Sequence, residues 1–369
     1  MPSDGEPSPS AQSPFARAFE GCLLGGAVGD ALGLPREGLT PHRAAQRFGI
    51  EPRHALLPGG YGMLSDDTEH ACMTAQALAQ AGPDAPPRFA RMLGSKLRWW
   101  MAALPPGVGM PTARACLRLW LGVPPERAGV WSAGNGPAMR APVLGVALHH
   151  RPTLMRTFIE TSTALTHRDP KALHGALAAA HLAARAARAA MNLQPWHTTE
   201  LLREIRALYP PDDSEARRGL DALEQAIAEA WEPARFLEEL DLPRGPGGYI
   251  HHTMPAVAYI ALRHPTDFPA AMRTMAQLGG DADSIGAIAG GIVGARAGST
   301  GIPERWLRGL VDYPRSVPWI RRVAANTAAA VADAKPRPPV PLAWPVVPLR
   351  NAALLTVVLI HGLRRLLPR

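Results

Sequence analysis

Cysteine, aromatic side chains and sheet-like alternation are all scarce in this 369-residue chain. There are three cysteines, Cys22, Cys72 and Cys116. They stand in apolar helical patterns without CxxC or any other metal spacing, which excludes a zinc module and a disulfide framework. An odd, sparse set fits core packing in a reducing compartment, so a cytoplasmic location is expected. The opening MPSDGEPSPSAQS has no basic start followed by an apolar run and is not read as a secretory signal. Aromatics make up 6% of the chain. They are not interleaved with basic residues as in proteins that bind single-stranded nucleic acid, and no nucleic acid partner is expected. No run of alternating residues makes a convincing strand, and no fixed-period repeat occurs.

What is present is a helical, core-forming composition, 47% hydrophobic against 19% charged. The formal net charge of +8 comes from scattered arginines rather than a stripe, a balance compatible with an anionic ligand such as a phosphate. Ser13-Pro14 reads as an N-cap followed by proline at the first helical position. Phe15, Phe19, Cys22 and Leu23 then form one apolar stripe, and Gly33 and Pro35 end that helix. Further helices are expected at 68–81, 87–103, 112–121, 170–192, 199–209, 213–231, 254–263, 268–278 and 285–297. The fold class is therefore all-α, an orthogonal multi-helix bundle with Gly-rich loops at 59–62, 105–111, 132–138 and 245–248. Loops on a rigid frame are where ligand sites concentrate.

Four segments follow from composition. Residues 1–14 read as a disordered lead-in, 15–333 as the helical domain and 334–349 as a Pro-rich, semi-stiff linker. Residues 350–369 form an apolar and basic C-terminal helix. That helix either docks on the domain or a partner subunit, or rests on an anionic membrane surface.

The chemistry concentrates in two acid-tipped helix starts. One is GDADSIGAIAGG, with Asp281, Asp283 and Ser284 at the head of a segment small and apolar enough to be buried. An ionised carboxylate is rarely buried without a partner, and a capping role needs only one acid. An EF-hand fails, because Ile285 and Ile292 stand where oxygen ligands are required. Nor is GGIVGARAG a dinucleotide fingerprint, since no strand leads into it. The other start is Ser65-Asp66-Asp67-Thr68. Neighbouring carboxylates repel by ~4 kcal/mol at ~4 Å with an effective dielectric of ~20. If the two starts converge, four carboxylates and two hydroxyls surround one cavity. Two divalent cations would balance them, and an all-oxygen set favours Mg²⁺ or Mn²⁺ over Zn²⁺.

Five motifs then occur in a telling order: GCLLGGAVGDALGLPREG, SDDTEHACMTAQAL, GNGPAMRAPVLG, THRDP and GGDADSIGAIAGGIVGARAG. Together they resemble the ADP-ribosylglycohydrolases, over roughly residues 15–325. The resemblance implies an all-α domain with a two-metal cleft that hydrolyses the glycosidic bond between the distal ribose of ADP-ribose and an acceptor. Ser65, Asp66, Asp67, Asp281, Asp283 and Ser284 fall on the metal-ligand positions, with serine where threonine is commoner at 65 and 284. Glu37 falls where a glutamate stands near the scissile bond, and either it or Asp67 would shuttle the proton. Gly134, Asn135, Gly136, Met139 and Arg140 look like the loop around the phosphates and distal ribose. His167 and Gly280 complete the expected substrate contacts, and Asp30 is either a supporting residue or a structural acceptor. The implied partner is an ADP-ribosylated protein or a small ADP-ribosyl compound. A non-catalytic ADP-ribose-binding module on the same fold is the alternative.

Overall fold

The computed structural model describes residues 12–366, with side chains to residue 364. The expected disordered lead-in lies outside the described residues up to position 11. The chain runs through α1 (Pro14–Gly33), α2 (Pro41–Phe48), α3 (Asp66–Ala81), α4 (Pro86–Ala102), α5 (Met110–Trp120) and α6 (Pro125–Ala128). It continues through α7 (Ala141–Ala147), α8 (Pro152–Ala164), α9 (Pro170–Ala190), α10 (Thr198–Arg206), α11 (Ser214–Ala228) and α12 (Pro233–Glu239). The last third holds α13 (Ile250–Arg263), α14 (Phe268–Leu278), α15 (Ala282–Ala297), α16 (Glu304–Arg308), α17 (Val317–Ala332) and α18 (Val347–Leu366). Among the described residues, β pairing is limited to isolated bridges between loops.

A chain with 39 prolines stays helical because proline falls in the first turn of many helices, where no intrahelical N–H is lost. Polar caps stand just ahead of several of them. Ser13 accepts from Ala16 N, Thr40 from Arg43 N and Asp169 from Lys171 N. The expected helix at 268–278 matches α14, whereas α8 and α17 were not anticipated. Thr-rich α8 has weak intrinsic propensity, and burial of Met155, Phe158 and Ile159 in the core holds it.

The frame that positions the site is the antiparallel pair α1 and α15. Glycine recurs every fourth residue on both, at 21, 25, 29 and 33 and at 286, 290 and 294. A Cβ on Gly25 would lie 2.3 Å from the Gly290 carbonyl oxygen, and one on Gly29 would lie 1.9 Å from that of Gly286. The two backbones therefore touch, with no side-chain layer between them. At the end of this contact Gly33 meets Ala282, so the C-terminus of α1 and the acidic N-terminus of α15 share one end of the molecule.

The segment expected to be a linker lies along the domain as a strap. Arg337 N donates to Ala79 O at 2.8 Å, Asn326 Nδ2 to Pro338 O at 2.9 Å and Trp319 Nε1 to Pro341 O at 2.8 Å. This binds the strap to α3 and α17. It delivers α18 to the domain, where Arg350 and Asn351 are buried. Arg350 Nη1 donates to Glu69 Oε1 at 2.9 Å and Nε to Asp312 Oδ2 at 3.1 Å, while Asn351 Nδ2 reaches Ala103 O at 2.8 Å. By length and composition Trp344–Arg364 could cross a bilayer, but these buried polar anchors belong to a docked helix. Membrane-surface contact finds no support in this packing.

Candidate metal centre and cleft

The convergence proposed from sequence occurs. Asp30, near the end of α1, accepts from Ser65 N at 3.0 Å and Thr68 N at 3.2 Å, and from the Thr68 hydroxyl. A buried acid on one helix thus fixes the first turn of α3. Ser65 caps that turn, its hydroxyl accepting from Asp67 N at 3.2 Å. Across the gap, the Ser284 hydroxyl donates to Asp67 Oδ2 at 3.3 Å, and the Ser65 hydroxyl donates to the same oxygen at 3.1 Å. The two acid-tipped starts, more than two hundred residues apart in sequence, are in direct contact. Oxygen atoms of Glu37, Asp281 and Asp283 lie within 4.8 Å of one another.

These groups line a cavity of about 280 Å³. Its walls hold Glu37, Ser65, Asp66, Asp67, Asp281, Asp283 and Ser284 together with Gly134, Asn135, Gly136, Met139 and His167. Loops from distant parts of the chain are stitched together around it by backbone bonds. Gly38 N donates to Gly280 O at 2.8 Å, Asp281 N to Pro246 O at 2.7 Å and Asn135 N to Gly248 O at 3.0 Å. Asn135 also donates from Nδ2 to Asp281 Oδ2 at 2.6 Å, which orients that carboxylate. The His167 ring lies against the glycine loop, since a Cβ on Gly136 would come within 2.8 Å of its Cε1.

Burial, and then mutual proximity, disfavour the charged form of these acids. Burial, reinforced by Glu69 and Asp30, pushes the Asp66 carboxyl well above its usual range. Burial does the same to Asp67, with Asp66, Asp30 and Asp281 adding to it, and to Asp283, with Glu37 and Asp281 adding to it. Asp30 rises to about 6 because burial outweighs its hydrogen bonds. His167 falls to about 3, chiefly through burial and then through Arg140, so it is a neutral ring. Among the described residues, Asp67 Oδ1 is buried without a hydrogen-bond partner. A buried carboxyl oxygen with no donor facing it, set among other acids, is what a bound cation would satisfy.

Two expected substrate contacts are placed elsewhere. Arg140 is wholly buried outside the cavity wall. Its guanidinium donates to the Ser162 hydroxyl at 2.8 Å, Ser162 O at 2.7 Å and the Thr166 hydroxyl at 2.7 Å. Having spent its donors, it holds the His167 loop rather than a ligand. Gly280 also lies off the wall. With φ at +69° and room for a Cβ only 2.1 Å from Pro246 O, it serves the bend that aims Asp281. Sequence reading missed Thr112, Leu34, Leu354 and Val358, which do line the cavity. The Gly-rich loops at 105–111 and 245–248 foretold Gly107, Gly109 and Gly248, but nothing local marks the two α18 side chains. Asp213, Glu215 and His251 also bring ligand-type atoms within 4.8 Å of one another. There, however, the Lys171 ammonium already sits on Glu215 at 2.5 Å.

Comparison with known proteins agrees with this architecture. The family model for ADP-ribosylglycohydrolase matches residues 11–337. An uncharacterized protein of Archaeoglobus fulgidus is 33% identical over 303 residues, covering 80% of this chain and 92% of its own. The ADP-ribosyl-[dinitrogen reductase] glycohydrolase of Rhodospirillum rubrum is 27% identical over 297 residues, covering 79% and 89%. ADP-ribosylhydrolase ARH3 of Bos taurus is 30% identical over 209 residues, 50% of this chain and 55% of that protein. A solved structure titled ADP-ribosylglycohydrolase-related protein complex superposes with a TM-score of 0.58 at 31% identity, over 87% of this chain and 99% of that one. The chain belongs to the ADP-ribosylglycohydrolase family.

Proposed function

We propose that this protein hydrolyses the glycosidic bond joining the distal ribose of an ADP-ribosyl group to its acceptor, and that it does so with two divalent cations, Mg²⁺ or Mn²⁺. The observation that carries the reading is the buried, unpartnered Asp67 Oδ1 at the junction of the two acid sets. Ser65, Asp66, Asp67, Asp281, Asp283 and Ser284 would hold the ions, an oxygen-only donor set suited to hard cations. Bound there, the ions would supply Lewis acidity that brings the pKa of a water toward neutrality.

The chain's own residues account for the rest. Asn135 fixes Asp281 through its 2.6 Å bond, and Asp30 fixes the turn bearing Asp66 and Asp67. Gly134 and Gly136 leave backbone and space for an anionic ligand beside neutral His167. Glu37, exposed and on the cavity wall, would pass a proton between the departing acceptor and water. As the acceptor leaves, the anomeric carbon gains oxocarbenium character, and the surrounding carboxylates favour that positive charge. The three buried, unpaired thiols support a cytoplasmic setting.

A panel of ADP-ribosylated proteins and small ADP-ribosyl compounds, assayed with Mg²⁺, with Mn²⁺ and with a chelator, tests this reading. Metal-dependent release of ADP-ribose, abolished in Asp283→Asn with the helical fold retained, is the expected result. Release that is equal in the chelator, or unchanged in Asp283→Asn, overturns it.

A further inference from the structure

The match to the family model ends at residue 337, yet two side chains beyond that point line the cleft. Leu354 and Val358, one turn apart on α18, share the cavity wall with Glu37, Asp66 and Asp283. Leu354 is buried in a small cluster with Leu34, Leu56 and Met63, and Val358 packs against it. Leu34 opens the turn whose next residues lead to Glu37, and Glu37 N donates back to Leu34 O at 3.4 Å. The aliphatic face of α18 and the turn bearing Glu37 are therefore one continuous surface.

That surface is held in place at both ends. Arg350 and Asn351 anchor the start of the helix to Glu69, Asp312 and Ala103 O. Further along, a His361 ring nitrogen lies 3.0 Å from Ala55 O, and Arg47 Nη2 donates to Arg364 O at 2.9 Å. The rest of the lining differs in kind and includes Gly134, Asn135, Gly136 and His167. With Glu37 as the group that passes the proton, the departing acceptor meets the aliphatic surface continuous with the Glu37 turn.

We propose that α18 is the acceptor-side wall of the cleft and that Leu354 and Val358 select ADP-ribosyl substrates whose acceptor is compact and apolar next to the scissile bond. This rests on the hydrolase reading above. An apolar acceptor gains contact with Val358, backed by the buried Leu354, whereas a charged one, such as a guanidinium, loses hydration against this surface without a partner. Selection of this kind is worth ~10-fold or more per aliphatic contact removed.

The test compares kcat/KM for a small aryl ADP-riboside and for ADP-ribosyl-arginine in the wild type and in Leu354→Ala/Val358→Ala. Product inhibition by free ADP-ribose is followed alongside. The proposal expects the aryl-to-arginine ratio to fall at least tenfold while inhibition by ADP-ribose changes less than twofold. Because Leu354 is buried, Val358→Thr, isosteric and more polar, provides a second variant, and it should move the ratio in the same direction. A ratio unchanged within twofold in an active, folded Val358→Thr and in the double variant overturns the wall. Wild-type protein that releases ADP-ribose from neither of these substrates but from another member of the panel above overturns the wall alone, whereas release from no member of the panel overturns the hydrolase reading, and the wall with it.

Discussion

Gly29→Ala probes the joint on which the site depends. The new methyl would lie 1.9 Å from the Gly286 carbonyl oxygen and 2.4 Å from its carbon. Ordinary contact would require α1 and α15 to part by about 1.5 Å along that line. Both obstacles are backbone, so no rotamer change relieves the clash. Overpacking of a core typically costs ~1–3 kcal/mol, and a clash between two backbones belongs at the upper end, about 3 kcal/mol. The displacement also reaches the chemistry, because Asp30 follows Gly29 directly and Asp283 lies within one turn of Gly286. A misplacement of ~1 Å can cost ~100-fold in rate. Urea denaturation monitored by circular dichroism, with ADP-ribose release on the same samples, measures both effects. Gly362→Ala in α18 is the control, since its Cβ would meet nothing within 4 Å; it should hold or raise stability by ~0.5–1 kcal/mol. A Gly29→Ala protein with an unchanged urea midpoint and turnover within twofold of wild type would refute the claim that backbone contact sets the site.

Three other outcomes are expected. Asn135→Ala removes the bond that orients Asp281 and should weaken Mn²⁺ binding ~10–100-fold by calorimetry, with little change in melting of the metal-free protein. Arg350→Met leaves Asp312 buried and without its guanidinium, although Arg315 still serves Glu69 at 2.9 Å; equilibrium unfolding should show a loss of ~3–5 kcal/mol. In the metal-free protein, Asp30, Asp66, Asp67 and Asp283 have folded pKa values raised above their unfolded ones. Their contribution is full below about pH 4 and is lost as pH rises, through about 6 for Asp30 and well above the ordinary carboxylate range for the others. Chelated protein should therefore lose stability across that window, and saturating Mn²⁺ should abolish the loss. A flat or rising profile for the chelated protein would contradict the repulsion.

The helical class was legible because apolar periodicity and first-turn prolines are local signals. So were the acid-tipped starts, since Asp66, Asp67, Asp281 and Asp283 stand at helix N-termini in the chain itself. What brings them together was not legible as geometry. The segment after Asp283 was legible as small and apolar enough to be buried, but the pairing of Gly29 with Gly286 is a long-range fact. Arg140 entered with the resemblance, as part of the loop around the phosphates, and only the fold shows Ser162 and Thr166 taking its donors. Leu354 and Val358 carry no local mark, because an aliphatic residue on a helix looks the same against a core or a cleft. The contacts of the strap at 334–349 were not legible, because proline-rich composition reports stiffness and says nothing of what the segment lies against.

The docking of Arg350 has a consequence for biosynthesis. Glu69 precedes its distant partner by 281 positions, a lag of roughly 15–55 s at ~5–20 residues per second of translation. Throughout that interval the nascent chain holds the Glu69 carboxylate without Arg350, and Asp312 joins it only 38 positions before the arginine arrives. The ribosome thus delivers this acid early and its last counterweight late, and the emerging polypeptide passes through a stage that is electrostatically unfinished.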